Sequence, residues 1–149
     1  MKIGVLTIGA ELLNGSRIDT NASWIANAVI HNGGSVVFKM SVPDSESKII
    51  KALNFLLSQS IDMLIVTGGL GPTHDDITAE TLYSYFNDEP IFDDDYWDLL
   101  VKRFEKRGFE VSKLNRSQAL KPLRGELINN PIGTARGLLF KKEKKDVFV

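Results

Sequence analysis

The sequence predicts an α/β domain of three layers, with helices on both faces of a mostly parallel sheet. Three observations carry this. Apolar runs of strand length alternate with segments of helical periodicity through the first half of the chain, the pattern that parallel strands and crossover helices require. The run Met63–Thr67 is nearly all apolar, as a strand covered on both faces should be. The length, 149 residues, is that of one domain, and 43% hydrophobic with 25% charged residues is ordinary for a globular chain.

The elements follow in order. Ile3 to Ile8 is a strand ended by Gly9. Ala22 to Ile30 reads as a helix, because Ala22, Ile25, Ala26 and Val29 fall at i, i+3, i+4 and i+7. Asp19 or Thr20 caps its start and Asn32-Gly33-Gly34 stops it. Val36 to Val42 is a second strand. Asp44 and Ser45 open a second helix whose buried face is Ile49, Ile50, Leu53, Leu56 and Leu57. After the third strand, Met63 to Thr67, comes a glycine-rich loop and a helix from about Ile77 to Phe86. Residues 93–121 look helical and polar, started by Asp93-Asp94-Asp95 and anchored by Leu99, Leu100 and Phe104. Glu126 to Ile128 reads as a strand. Gly137 to Phe140 and Asp146 to Val149 read as a hairpin whose solvated tip is the lysine run 141–145. The chain stops on an apolar strand, the ending expected of a fragment of something longer. That strand is also expected to leave an unpaired edge that favours self-association.

Composition excludes several classes. There is no Cys, so disulfide frameworks, thiol catalysis and Cys-ligated zinc or iron–sulfur centres are out. His31 and His74 are the only imidazoles, too few for a multi-His metal site in one chain. Eighteen Lys+Arg against 19 Asp+Glu argues against general nucleic-acid binding. No apolar run is long enough to span a bilayer, and the N-terminus lacks a signal peptide, so the cytoplasm is the expected location.

In open parallel sheets, ligands bind beyond the carboxyl ends of the strands. That rule selects three loops: Gly9–Gly15 with Asp19-Thr20-Asn21, then Val42-Pro43-Asp44, then Thr67–Asp76. All three are rich in Gly, carboxylates and side-chain amides or hydroxyls. In the third, Gly68, Gly69 and Gly71 leave backbone N–H groups open to a ligand, and the next helix points its positive end there. The same glycines also suit a plain strand-to-helix turn. The loop is neither a P-loop, since no Lys-Ser/Thr follows, nor a Rossmann fingerprint, since the spacing differs. Asp75 and Asp76 beside an anion site would repel a phosphate unless a cation lay between, which is how proteins commonly hold Mg²⁺. Asp76 and then Asp75 are therefore candidate metal ligands; alternatively, one of them caps the helix. Glu11 is a further candidate for metal or general base, or a solvated carboxylate. Asp44 binds a ribose hydroxyl or metal, or caps the second helix. Asp19 carries the same ambiguity on the first, while Thr20 and Asn21 can donate to a ligand. His74 reads as a solvated loop residue, His31 as structural, and Trp24 and Trp97 as packing residues.

These motifs resemble the N-terminal domain of the CinA (competence/damage-inducible protein A) family. The resemblance runs in order through Gly9–Gly15, Asp19-Thr20-Asn21, Val42-Pro43-Asp44, Thr67–Thr78, Asn115–Ala119 and Asn130-Pro131-Ile132-Gly133-Thr134-Ala135. It implies the molybdopterin-binding fold shared with MoaB and MogA. It implies a small-molecule nucleotide or pterin as ligand and a homo-oligomeric assembly. It further implies hydrolysis of ADP-ribose to AMP and ribose 5-phosphate with a divalent metal, Mg, Mn or Co. In this reading Asp76, Asp75 and Glu11 supply catalysis and metal binding. Thr67, Gly68, Gly69, Gly71, Thr73, Thr78, Asp19, Thr20, Asn21, Asp44, Gly133 and Thr134 supply substrate contacts. Two alternatives are adenylyl transfer to molybdopterin and nucleotide binding without turnover. The family's separate C-terminal domain, which deamidates nicotinamide mononucleotide, has no counterpart in these residues, and its activity is not carried over. Two departures stand out. Arg136 replaces the usual Pro, as a phosphate contact or a tolerated loop change. The family's Pro-Gly-rich segment and closing helix would follow Val149, so the chain is expected to be a domain truncated at its C-terminus.

Overall fold

A computed structural model describes residues 1–149. Strands β1 (Lys2–Ile8), β2 (Ser35–Val42) and β3 (Met63–Thr67) alternate with helices α1 (Ala10–Leu13), α2 (Thr20–His31), α3 (Glu46–Ser58) and α4 (Thr78–Tyr85). Then come β4 (Pro90–Phe92), α5 (Asp94–Glu105), a 3-10 segment Lys113–Ala119, β5 (Leu120–Pro122), β6 (Glu126–Ile128), β7 (Gly137–Lys142) and β8 (Lys145–Phe148). One sheet has the order β2-β1-β3-β8-β7-β6. β2, β1, β3 and β8 run parallel; β7 runs against them, and β6, antiparallel to β7, runs with them again. No helix is long and apolar enough to cross a membrane.

The 2-1-3 order decides where helices and ligand go. The chain leaves β1 to one side for β2, then crosses back over to β3 on the other. Right-handed crossovers moving in opposite directions put their helices on opposite faces. Alternate residues of β1 record the split. Ile3 and Val5 pack with Ala22 and Val29 of α2. Leu6 and Ile8 pack with Ile49, Leu53 and Leu56 of α3, Leu82 of α4, and Leu64, Val66, Phe140 and Val147 of the sheet. The second face holds most of the core; removing a fully buried leucine such as Leu53 there would cost about 2–5 kcal/mol.

Several expectations need correction. The stretch 93–121 is not one helical run: α5 ends before Gly108, whose φ of 76° breaks it, and the chain resumes as a 3-10 segment. Leu100 is fully buried, but Leu99 is exposed. The hairpin β7–β8 extends into the lysines, with Lys142 paired to Lys145 and Glu143 at the turn with φ 56°. The Lys145 ammonium donates to the carbonyls of Leu57 and Gln59, satisfying the end of α3, and Lys142 lies over the Tyr85 ring. The strand ending the chain is no edge, because β8 lies between β3 and β7; the open edges are β2 and β6. Trp24 faces solvent at 72% exposure rather than packing, whereas Trp97 packs on Phe92.

Candidate functional site

Where β1, β2 and β3 end, the three loops converge on a cleft of about 1110 Å³. Only four of its 20 lining residues are hydrophobic. Its position is the switch point of the 2-1-3 order, where neighbouring loops part and leave a crevice.

The floor is polar. The Thr7 and Ser41 hydroxyls, on adjacent strands, are 2.8 Å apart. Asn21 donates its amide to the Thr67 hydroxyl at 3.2 Å, tying the start of α2 to the end of β3. Asp19 caps α2 by accepting the Ala22 N–H at 2.9 Å, and Lys39 stands 3.4 Å from its other oxygen without the alignment of a hydrogen bond. Burial pushes the Asp19 carboxyl up, but the Ala22 hydrogen bond, the nearby Thr7 hydroxyl and the Lys39 charge outweigh it and hold Asp19 below its usual value.

The glycine loop forms the next wall. Gly68 and Gly69 have φ of 103° and 64°, the left-handed region that favours glycine. A Cβ on Gly68 would run into the Ile8 carbonyl oxygen, and one on Gly69 into the Thr78 hydroxyl. The loop thus packs directly on β1 and α4, with its backbone open to the cleft.

Neither Asp75 nor Asp76 caps α4. Its N-cap is Ile77, with no side-chain bond. Asp76 instead braces the loop, accepting the Thr73 N–H at 2.9 Å and the Thr73 hydroxyl. Burial raises its pKa, but these bonds and the Gly71 N–H prevail and hold the carboxyl below its usual value. Asp75 is exposed. Asp44 is not the cap of α3, which is Ser45; its carboxylate accepts the Ala10 N–H at 2.9 Å and joins the β2 loop to the β1 loop. Glu11 turns back over Gly9, where a Cβ would come within 2.9 Å of its carboxylate.

Thr67, Gly68, Gly69, Thr73, Asp19, Thr20, Asn21, Asp44, Asp75, Asp76 and Glu11 all line this one cleft. Gly71, Thr78, Gly133 and Thr134 do not. Gly71 lies against Asp76, and Thr78 is fully buried below Gly69 with its hydroxyl unpartnered. Gly133 and Thr134 are held elsewhere: the Gly133 carbonyl accepts from Arg103, and the Thr134 carbonyl and hydroxyl accept from Tyr96 and Gln118. Arg136 is no phosphate contact. It is buried, donates to Asp93 at 2.6 Å and to the Leu120 carbonyl at 3.2 Å, and stacks on Tyr96. Sequence reasoning missed Ser16, Arg17 and Ile18, which also line the cleft; they sit between two motifs and carry no pattern of their own.

No three acidic or imidazole groups converge into a closed metal cage. The donors present are hard oxygens, which suit Mg²⁺ or Mn²⁺ better than a soft metal. One or two carboxylates completed by phosphate oxygens and water is the usual Mg²⁺ arrangement, and Asp75 and Asp76 beside the glycine loop fit it.

Fold and cleft together define an α/β domain of the molybdopterin-binding fold with an open polar cleft at its strand ends. The family model described as a probable molybdopterin binding domain matches residues 4–149. The CinA protein of Thermoplasma acidophilum, described as of unknown function, superposes with a TM-score of 0.82 at 30% identity, covering 99% of this chain and 85% of that one. A CinA-like protein of Citrifermentans bemidjiense is 42% identical over 148 residues, 99% of this chain. This chain therefore belongs to the CinA family, within the molybdopterin-binding fold. It spans about a third of the length of the curated relatives it matches, 36% in that case. MoaB of Thermus thermophilus, a molybdopterin biosynthesis enzyme, shares the fold alone, with a TM-score of 0.62 at 19% identity over 99% of this chain and 78% of that one.

Proposed function

We propose that the cleft binds a nucleotide pyrophosphate and hydrolyses it with a divalent cation, ADP-ribose giving AMP and ribose 5-phosphate. One observation carries the reading: an open glycine backbone and the carboxylates Asp75, Asp76, Asp44 and Glu11 face the same polar cleft. Backbone N–H groups alone would favour any anion, and carboxylates alone would repel one. Together they fit a phosphate held through a cation. The cleft also exceeds the 300–1,000 Å³ or so of ordinary ligand pockets, which suits a dinucleotide-sized ligand.

The residues divide the work. Gly68 and Gly69 hold phosphate oxygens. Asp76, fixed by Thr73, and Asp75 hold the cation. Thr20, Asn21, Thr67 and Asp19 orient the sugar. When bound, the cation neutralises the diphosphate and polarises phosphoryl oxygen or attacking water. Water oxygen bonds to one phosphorus, the bridging P–O bond breaks, and the other phosphate leaves with the bridging oxygen. The proton that water loses passes to a carboxylate of the cleft, for which Glu11 is the candidate.

Incubation with ADP-ribose and Mg²⁺, Mn²⁺ or Co²⁺ tests this directly. AMP and ribose 5-phosphate should appear in equal amounts and vanish with Asp76→Ala. The family model favours a second reading, a pterin ligand in the same cleft. Tight pterin binding with no ADP-ribose turnover by the folded chain would select it. Self-association of the chain belongs to the same proposal. It finds support in the eight-residue open edge of β2 and is checked by light scattering.

A further inference from the structure

The cleft is electrostatically lopsided. Glu11, Asp19, Asp44, Asp75 and Asp76 line it, and Arg17 is the only cationic side chain that does. Three of the carboxylates already have partners within the protein: Asp19 caps α2, Asp44 takes the Ala10 N–H, and Asp76 takes Thr73. Glu11 has only Arg17, at 3.9 Å. That pair is open to water, its side chains 76% (Arg17) and 43% (Glu11) exposed, so it contributes little to folding.

The backbone nevertheless keeps the two residues together. The Arg17 N–H donates to the Glu11 carbonyl at 3.1 Å, and the Ser16 hydroxyl donates to the same carbonyl at 3.4 Å. An exchange of partners at Arg17 thus needs only its side chain to turn. A diphosphate carries denser charge than one carboxylate and offers the paired oxygens that a guanidinium grips in two places. Glu11, once released, already lies over Gly9 at the end of β1, inside the cleft.

We propose that Arg17 is a phosphate-binding residue of this cleft, held beside Glu11 until a pyrophosphate draws it away and frees that carboxylate. The inference rests on the nucleotide-pyrophosphate reading above. It gives the cleft a side-chain phosphate contact that the glycine loop lacks. It also frees the carboxylate that takes the proton from its ion pair as the substrate binds.

The test is an equilibrium titration of wild type, Arg17→Gln, Arg17→Lys and Glu11→Gln with inorganic pyrophosphate and with adenosine, in Mg²⁺, beside steady-state ADP-ribose turnover. Loss of a charged hydrogen-bond donor predicts pyrophosphate binding weakened about tenfold to a hundredfold in Arg17→Gln, with a raised KM. Adenosine binding should not change, and Arg17→Lys should recover part of the loss. Glu11→Gln should bind pyrophosphate as tightly as wild type, or up to about fivefold more tightly, while kcat falls. Equal pyrophosphate binding by wild type and Arg17→Gln, with wild-type turnover intact, overturns the role of Arg17 alone. An unchanged kcat in Glu11→Gln overturns the release of Glu11. A folded wild type that neither binds pyrophosphate nor turns over ADP-ribose overturns the nucleotide reading and this inference with it.

Discussion

The cleft and the region around Arg136 both concentrate aspartates, and they use them in opposite ways. Around Arg136 the carboxylates of Asp88 and Asp93 are consumed by the protein. Asp88, buried, accepts backbone N–H groups from Glu89, Leu123, Arg124 and Gly125 at 2.8–3.2 Å. Asp93 caps α5 through Tyr96, pairs with Arg136 at 2.6 Å and faces Lys121 at 3.6 Å. In the cleft, Asp75 and Glu11 face solvent with no such network, and the partners of Asp76 come from its own loop. A carboxylate saturated by the fold holds structure; one left with spare lone pairs beside open backbone is available to a ligand. Residue type does not separate the two; an oxygen left free toward the open cleft, as on Asp75 and Glu11, does.

The largest expected effect falls on the saturated side. Asp93→Ala strands the buried Arg136 guanidinium and removes the cap of α5. Breaking a buried pair costs about 3–5 kcal/mol, read as a lower urea midpoint. The chain is then marginal, but any folded fraction should retain turnover.

Asp88→Asn comes next. It takes charge from an acceptor serving four N–H groups, at about 1–3 kcal/mol. It also carries a pH signature. Burial raises the pKa of Asp88, but its backbone N–H partners outweigh this, and it lies below the ordinary 3.8. Asp93 is lowered likewise by Arg136 and the Tyr96 N–H, against burial. The unfolded chain therefore binds these protons first. The stabilisation is complete above about pH 4 and is lost as pH falls through the lowered folded values. Urea unfolding from pH 6 to pH 2 should show wild type losing stability steeply below about pH 4. Asp88→Asn should start lower and fall less.

The smallest effect belongs to neither region. Trp24→Ser removes an exposed ring from the outer face of α2 and should change unfolding free energy by no more than about 0.5 kcal/mol. A larger loss measured by calorimetry would mean that Trp24 is covered in an assembly.

The two regions also differ in how far the sequence disclosed them. β1 and β3 were legible as continuous apolar runs, β2 as a short run between turn signals and α2 and α3 as regular stripes, and the three loops followed once the strands were ordered. The Arg136 region was not legible. β4 and β5 are three residues each, too short for a period to show, and they pair across an intervening helix. Nothing near Arg136 in sequence points to Asp93, 43 residues away. Asp75-Asp76 fits a helix cap by position, and only the fold shows Asp76 turned back on Thr73. Arg17 was missed because a lone exposed arginine between motifs carries no pattern; its meaning lies in being the one cation among five carboxylates.

The central claim is that the cleft carboxylates serve chemistry and the saturated ones serve folding. The direct test measures unfolding free energy and ADP-ribose turnover together for Asp76→Asn and Asp88→Asn. Asp76→Asn should be stable to within about 1 kcal/mol of wild type, since one oxygen still accepts from Thr73, with turnover reduced about a hundredfold or more. Asp88→Asn should be destabilised, with turnover per folded molecule unchanged. Wild-type turnover in Asp76→Asn, or its loss in fully folded Asp88→Asn, would contradict the claim.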